Sequence, residues 1–301
     1  MDAANIVRSR AIRENLPIWF SLPTQILPAW SEVVSQKKLD DAIAALNKTF
    51  GKGTVMPMSQ SRAAEAVDVI STGNKQIDDL TGIGGIPKGR IVEIYGPEAG
   101  GKSTLCLQIV AQAQKAGGKC AYIDAENALD MTYASALGVN VEDLLVSQPS
   151  CGEEGLSVAL ALIESGEISV VVVDSVAALV PRAELEGDMG DSQMGLMARM
   201  MGQALRKMNN AVSTTGTILI FINQVRQKIG IVFGNPETTS GGLALRFYAS
   251  LRLTVTRISQ IKKGDNVIGA KTKIETKKNK LAAPSKKCEV NLLYGQGFVN
   301  E

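Results

Sequence analysis

The segment Gly96-Pro97-Glu98-Ala99-Gly100-Gly101-Lys102-Ser103 fits the pattern G-x-x-x-x-G-K-[ST], and it decides how the rest of the chain is interpreted. An apolar run over residues 91–95 predicts a strand before it, and residues 102–116 predict a helix after it. Glycines let successive backbone N–H groups converge on phosphate oxygens, and the helix N-terminus adds partial positive charge. The alternative is a glycine-rich turn with an incidental lysine, but the flanking strand and helix favour a nucleoside triphosphate site. The residues predicted to bind the nucleotide here are Gly96, Pro97, Glu98, Ala99, Gly100, Gly101, Lys102, Ser103 and Thr104.

The composition excludes several kinds of site. The chain of 301 residues has no histidine, and its four cysteines are not at C-x-x-C spacing. Zinc sites, Ser-His-Asp triads and Cys-His dyads are therefore excluded, which leaves carboxylates, lysines, arginines and a phosphate-bound metal for catalysis. The net charge of +2 is too small to indicate nucleic acid by itself. No apolar run approaches the roughly 18 residues of a membrane span, so no membrane partner is expected, and scattered cysteines suit a reducing cytosol.

From residue 90 onward, predicted strands and helices alternate. Strands are predicted over 91–95, 119–124, 143–147, 169–174, 217–223 and 249–257, and helices over 102–116, 131–137, 153–165, 193–212 and 242–248. Continuously apolar runs, such as 170–173, suit strands that are covered on both faces. The predicted fold class is α/β, with a mostly parallel, doubly wound sheet, helices on both faces, and ligands at the carboxyl ends of the strands. Upstream, we predict a helix over 38–50, a short extended segment over 54–56 and a loop-dominated stretch over 71–90.

Polar residues follow three of the predicted strands. Asp174 ends the apolar run 170–173. An acid at a strand end beside a P-loop, the phosphate-binding pattern of residues 96–103, is the usual second anchor of Mg²⁺, together with the Ser103 hydroxyl. Glu126 is the candidate that orients and deprotonates the attacking water; Asp124 competes with it, and either could be a plain surface carboxylate. Gln224 follows the strand 217–223, where a neutral amide can hydrogen-bond a γ-phosphate oxygen.

In this order, these pieces resemble the bacterial RecA recombinase family. The resemblance covers about residues 38–298, and the matching segments are 91–98, 124–126, 173–179, 184–187, 189–191, 198–201, 221–226, 228–230 and 233–239. It implies a RecA-type ATPase core over 71–301, an oligomerisation helix and strand over 38–70, and an unmatched extension of unassigned role over 1–37. We also expect the family's small C-terminal domain to have no counterpart among these residues.

The resemblance implies roles for individual residues at the nucleotide. Lys102 and Glu126 match catalytic positions, and Gln224 matches the γ-phosphate sensor. Asp130 and Tyr133 match positions that hold the adenine, and Tyr294 with Gly295 would close over the base from the far end. Lys278 and Lys280 match a pair of lysines that reach a neighbouring subunit's ATP, as an arginine finger supplied in trans does. Without the resemblance, the lysine-rich run over 271–287 would be a solvated face.

Two loops would bind DNA by the same resemblance, one over about 186–195 and the other over about 226–241. Without it, both would be interpreted as flexible surface loops with no ligand. The first loop is acidic, and the second offers cations and small polar donors that suit phosphate oxygens. The residues predicted to contact DNA are Met194, Arg199, Arg206, Arg226, Lys228, Phe233, Gly241 and Gly242.

The function implied is a DNA-dependent ATPase with ATP and Mg²⁺ as cofactors. It would form a helical homo-oligomeric filament on single-stranded DNA, test duplex DNA for homology, and promote self-cleavage of an SOS repressor in a bacterial cytoplasm, or alternatively in an organelle. Two other functions stay open: a regulatory or signalling filament without full strand exchange, and a ring-shaped helicase-like motor of the same core fold. Asn127, where the family usually has histidine, departs from the pattern beside Glu126.

Overall fold

The structure is a computed structural model, and it describes residues 36–58, 67–188, 195–227 and 237–300. The chain divides between Ala66 and Val67 into two units. The helices are α1 Gln36–Phe50, α2 Lys75–Thr81, α3 Lys102–Lys115, α4 Met131–Ala136, α5 Gly152–Glu164, α6 Arg182–Leu185, α7 Leu196–Thr215 and α8 Ala244–Tyr248. The strands are β1 Val69–Ile70, β2 Ile86–Pro87, β3 Ile91–Gly96, β4 Lys119–Asp124, β5 Leu144–Ser147, β6 Ile168–Asp174, β7 Ile218–Gln227, β8 Glu237–Thr239, β9 Leu251–Lys263, β10 Asn266–Asn279, β11 Lys287–Leu293 and β12 Gly297–Val299.

In the first unit, α1 confirms the predicted helix and ends at Gly51, whose φ of 107° suits a residue without a side chain. The extended segment predicted over 54–56 is wrong. The side chain of Asn47 bonds both the N–H and the C=O of Val55, so the chain turns back toward the helix. A side chain that satisfies backbone groups in this way offers an alternative to strand pairing.

The second unit is built on one large sheet with the strand order β12-β11-β10-β9-β3-β7-β6-β4-β5, and β8 pairs with β7. The strands from β9 to β5 are all parallel, as predicted, because each pairs in parallel with its neighbours in that order. β6 shows why the apolar runs matter. Val170 and Val172 pack into the first core cluster, on one face of the sheet, whereas Val171 and Val173 pack into the second core cluster, on the other face.

Helices cover both faces of this sheet, which confirms the predicted fold class. The first cluster takes its helical residues mainly from α2, α3 and α4, and the second from α5, α7 and α8. The P-loop and α3 follow β3 directly, so they lie at the carboxyl ends of the parallel strands. Open α/β sheets bind their ligands at this edge. In the described part of the chain, no helix is long and apolar enough to cross a membrane.

Most of the stretch 71–90 is loop, as expected, but it also contains the helix α2, whose N-terminus Asn74 caps by accepting the N–H of Ile77. Two other sequence-based expectations need correction. β7 continues through Gln227, because β8 pairs with its last residues, so Gln224 lies within the strand. The antiparallel strands β10, β11 and β12 extend the sheet beyond β9, and the sequence analysis did not predict them.

Candidate nucleotide and DNA site

The P-loop lies against the backbone of β9, which gives its glycines a second reason besides phosphate binding. A Cβ on Gly96 would lie 2.1 Å from the carbonyl oxygen of Val255, and one on Gly100 would lie 2.8 Å from the same oxygen. Gly101 has a φ of 95° at the start of α3. Pro97, Glu98 and Ala99 are exposed at the loop tip. A side chain at Gly96 or Gly100 would therefore push the loop off the sheet before any nucleotide arrives.

Lys102 is almost fully buried, and its Nζ donates a hydrogen bond to the carbonyl oxygen of Pro97 at 2.7 Å. Burial lowers the pKa of Lys102, and the nearby carboxylates Asp174 and Glu126 oppose that shift. The ammonium group thus spans the loop that would hold the phosphates. A buried lysine satisfied by one loop carbonyl can exchange that bond for a phosphate oxygen.

Ser103 and Asp174, the two predicted Mg²⁺ ligands, are in direct contact. The Ser103 hydroxyl donates to Oδ2 of Asp174 at 2.8 Å, and the buried Tyr122 hydroxyl donates to the same oxygen at 2.6 Å. Burial raises the pKa of Asp174, and these two hydrogen bonds lower it. The neighbouring Thr104 hydroxyl shares a hydrogen bond of 2.8 Å with Tyr133.

This pair fits Mg²⁺ held jointly by protein and phosphates. Hard oxygen ligands suit that ion, which usually takes one or two carboxylates and fills its other positions with water and phosphate oxygens. No group of three or more acidic, cysteine or histidine side chains that could form a self-contained metal site occurs in the described residues. The donors present therefore match a site that the nucleotide would complete.

The two candidates for the catalytic base have different surroundings. Asp124 is buried and accepts hydrogen bonds from the N–H groups of Ala128 and Leu129 and from the side chain of Gln148. Glu126 is exposed, and its Oε1 accepts the Ser175 hydroxyl. Since a base must reach a water molecule, this difference favours Glu126, while Asp124 shapes the loop that carries it.

Gln224 lies beside Glu126 across the carboxyl ends of the strands. Its Nε2 is 3.5 Å from Oε1 of Glu126, and its backbone N–H donates to Oδ1 of Asn223 at 2.9 Å. Through Ser175 and Asp174, the same cluster reaches Ser103 and the P-loop. The structure therefore brings together the predicted phosphate, metal, base and sensor residues.

The residues predicted to hold the adenine lie on two separate elements. Asp130 caps α4 by accepting the N–H groups of Thr132 and Tyr133 at 2.7 and 3.2 Å. Tyr294 and Gly295 form the turn between β11 and β12, and Tyr294 exposes half of its side chain. β12 is anchored to α3 through Gln108, whose side chain bonds both the N–H and the C=O of Phe298. The adenine roles of these residues stay predictions.

Lys278 is half-buried and so does not fit the solvated-face interpretation, whereas Lys280 is exposed as that interpretation has it. The Nζ of Lys278 donates to the carbonyls of Arg246 and Phe247, and the Nζ of Lys280 donates to Phe247 at 3.2 Å. These are carbonyls of the last turn of α8, where cations are favoured. Burial lowers the pKa of Lys278, with Lys280 next in importance. The side chain of Phe247 is 70% exposed beside them.

The predicted DNA contacts are only partly within the described residues. Arg199 and Arg206 are exposed on α7, and Arg226 is exposed on β7. Gly241 and Gly242 follow β8, and a Cβ on them would lie 2.8 Å from Val176 and 2.7 Å from Ala198, so close packing is one reason for glycine there. Met194, Lys228 and Phe233 lie outside the described residues.

Two groups that support this site were not predicted from the sequence. Tyr122 lies inside an apolar strand, and nothing in its spacing indicates a bond to Asp174. Glu93 is fully buried in β3, where it forms an ion pair with Arg252 and accepts the side-chain amide of Asn223. A lone glutamate within an apolar run was the available signal, because such a residue needs a buried partner.

Comparison with known proteins adds an independent finding. A family model described as the RecA N-terminal domain matches residues 37–299. The chain is 56% identical over 271 residues to Protein RecA of Laribacter hongkongensis, which covers 90% of this chain and 77% of that protein. It is 58% identical over 260 residues to Protein RecA of Limosilactobacillus reuteri, covering 86% and 72%. It is also 56% identical over 262 residues to Protein RecA of Acidiphilium cryptum, covering 87% and 76%.

Proposed function

The chain belongs to the RecA family of DNA recombination and repair proteins, and from that premise we propose that it is a single-stranded-DNA-dependent ATPase whose active site is completed by a second copy of itself. The copies would form a helical filament that pairs the bound strand with homologous duplex DNA. We extend the proposal to SOS repressor self-cleavage and to a bacterial cytoplasm, which the bacterial relatives support.

The observation that carries the proposal is the separation between the P-loop and the lysine pair within one chain. Lys278 is in register with Arg252, which is in register with Glu93, three residues before Gly96. Two strand spacings amount to about 10 Å across the sheet, and three residues amount to about 10 Å along a strand. The backbones of Lys278 and Gly96 are therefore roughly 14 Å apart. In addition, the lysine ammonium groups bond α8, which packs into the second core cluster, whereas α3 packs into the first.

This arrangement supports action on a neighbour. The lysines face away from the nucleotide that their own P-loop would hold, so they serve catalysis only when another chain presents its nucleotide to them. Repeated head-to-tail contacts of this kind do not close on themselves unless a ring forms, and otherwise produce a helix. Hydrolysis would then depend on assembly along DNA.

In hydrolysis, a water oxygen attacks the γ-phosphorus, the bond from phosphorus to the β,γ-bridging oxygen breaks, and Glu126 accepts the water's proton. Bound Mg²⁺ would neutralise charge on the phosphate oxygens, with Ser103 and Asp174 as its protein ligands. Lys102 binds the phosphates from its own chain, Gln224 contacts the γ-phosphate, and the neighbour's lysines stabilise charge that develops in the transition state.

The test is ATP hydrolysis with and without single-stranded DNA. Wild-type protein should hydrolyse ATP much faster with DNA present. Glu126→Gln should retain nucleotide binding but lose about 10²–10⁴-fold in rate, the usual contribution of a general base. Lys102→Ala should lose nucleotide affinity. Equal rates with and without DNA in the wild type would contradict the proposed function.

A further inference from the structure

A row of polar side chains crosses one face of the sheet beneath α8. This polar row consists of Asn223 on β7, Glu93 on β3, Arg252 on β9 and Lys278 on β10, which are adjacent strands. Asn223 donates its side-chain amide to Oε1 of Glu93 at 3.0 Å, and Nε of Arg252 lies 2.5 Å from Oε2 of Glu93. Glu93 is 0% exposed and the side chain of Arg252 is 11% exposed. The carboxylate is therefore bonded on both sides, away from solvent.

One end of the polar row reaches the cations predicted to act in trans. Lys278 is in register with Arg252, and their positive charges disfavour each other. Glu93 is the carboxylate that acts favourably on Lys278, while Lys280 adds a further positive charge. Arg252 also lies over the ring of Tyr95, 4.5 Å from its centre, which fixes the guanidinium plane. Without the Glu93 charge, three cations would face one another near α8 with less compensation.

The other end of the row reaches the predicted DNA loop. The amide that binds Glu93 also donates to the carbonyl of Ser240 at 3.0 Å, directly after β8. Oδ1 of the same side chain accepts the N–H of Gln224. A shift of the backbone at Ser240 would therefore change its hydrogen bond to Asn223 and, through Asn223, the surroundings of the buried ion pair.

We propose that Glu93, through its ion pair with Arg252, is a positioning residue that holds Lys278 and Lys280 for a neighbouring chain's nucleotide. Through Asn223, Glu93 also links these lysines to Ser240, at the end of the second predicted DNA loop. This inference rests on the proposed function. Glu93 touches no nucleotide itself, since it faces the second core cluster rather than α3. Its effect should therefore be on hydrolysis at the neighbour's P-loop, not at its own.

A first variant is Glu93→Gln, which keeps the shape and an acceptor for Asn223 but removes the charge. We expect the DNA-stimulated kcat to fall about tenfold, within the usual range of coupling between sites, and KM for ATP to stay within about twofold. If that variant does not fold, the neutral pair Glu93→Gln/Arg252→Gln breaks the ion pair without leaving an unpaired buried charge, and the same kcat loss is expected. Glu289→Gln is the matched control, because it removes an exposed ion pair with Lys271.

Mixed filaments decide where Glu93 acts. Chains carrying Glu126→Gln cannot hydrolyse ATP at their own P-loop but present normal lysines. Mixed in equal amounts with the Glu93 variant, they should raise the DNA-stimulated rate to about a quarter of wild type, the fraction of random head-to-tail contacts that pair an intact P-loop with intact lysines. Lys278→Ala mixed with Glu126→Gln is the positive control.

The outcomes separate this inference from the proposed function. Rescue in both mixtures supports it. Rescue of the positive control without rescue of the Glu93 variant would show that Glu93 acts on its own P-loop, which overturns the inference and leaves the proposed function intact. Wild-type kcat in the folded Glu93 variants would overturn it as well. If the positive control shows no rescue, the lysines do not act on a neighbouring chain's nucleotide. That result would contradict the proposed function and this inference together.

Discussion

Tyr122→Phe tests whether a buried hydroxyl stabilises Asp174, the carboxylate that is predicted to bind Mg²⁺. The ring is 1% exposed in the middle of β4, and its hydroxyl lies 2.6 Å from Oδ2 of Asp174. Phenylalanine keeps the ring packing, so the variant removes one hydrogen bond to a charged group. Such a bond contributes about 1.5–3 kcal/mol, and we expect the free energy of unfolding to fall by that amount.

Tyr133→Phe provides the comparison, because its hydroxyl bonds the neutral hydroxyl of Thr104 at 2.8 Å. A neutral pair contributes only about 0.5–1.5 kcal/mol. The assay is urea unfolding of both variants and wild type without nucleotide or metal. Equal losses for the two variants, or no loss for Tyr122→Phe, would refute the claim that the Asp174 charge gives this hydrogen bond its strength.

A second measurement links this hydrogen bond to nucleotide binding. The hydrogen bond from Tyr122 lowers the pKa of Asp174 and burial raises it, so removal of the hydroxyl should raise that pKa and make the charged carboxylate less favourable. Affinity for a fluorescent ATP analogue should fall in Mg²⁺ and change little in EDTA. An equal loss in both conditions would mean that the hydroxyl supports the P-loop generally rather than the carboxylate.

Three other predictions follow from packing and charge. Gly96→Ala places a methyl group 2.1 Å from the carbonyl oxygen of Val255, so urea unfolding should show a loss of about 3 kcal/mol or more. Burial raises the pKa of the Cys120 thiol from 9.0 to about 12, so the folded state binds that proton more tightly. Stability measured by urea unfolding should not depend on this group below pH 9 and should fall as pH rises from 9 towards 12; Cys120→Ala should make the fall smaller without abolishing it, because burial also raises the pKa of Cys106 and Cys288. Arg199→Ala/Arg206→Ala should weaken single-stranded DNA binding and lower the slope of log affinity against log salt by about 1.4, whereas an unchanged slope would exclude both arginines from phosphate contact.

The parallel half of the sheet was predictable because its strands are continuously apolar and its turns are rich in glycine. β6 is an example, because the side chains of Val170 to Val173 alternate between the two core clusters, and a different set of helices covers each cluster. The antiparallel strands were not predicted because β10 alternates charged residues with threonine and isoleucine, and the charged positions resemble those of a solvated loop. Only the pairing of β10 with β9 and β11 makes it a strand.

The same limit applies to the site. Lys102 and Ser103 were predictable because the phosphate-binding segment is contiguous in sequence. The bonds that organise it are not: Tyr122 meets Asp174 across 52 positions, and Arg252 meets Glu93 across 159. Such partners depend on strand order and register, which local pattern does not specify.

The central claim is that one chain's lysines complete another chain's nucleotide site on DNA. The most direct test is the ATP hydrolysis rate of Lys278→Ala and Glu126→Gln proteins, first alone and then mixed in equal amounts with single-stranded DNA. Each protein alone should be nearly inactive, and the mixture should reach about a quarter of the wild-type rate, because only contacts between an intact P-loop and intact lysines are productive. A mixture no more active than its two components would contradict the claim.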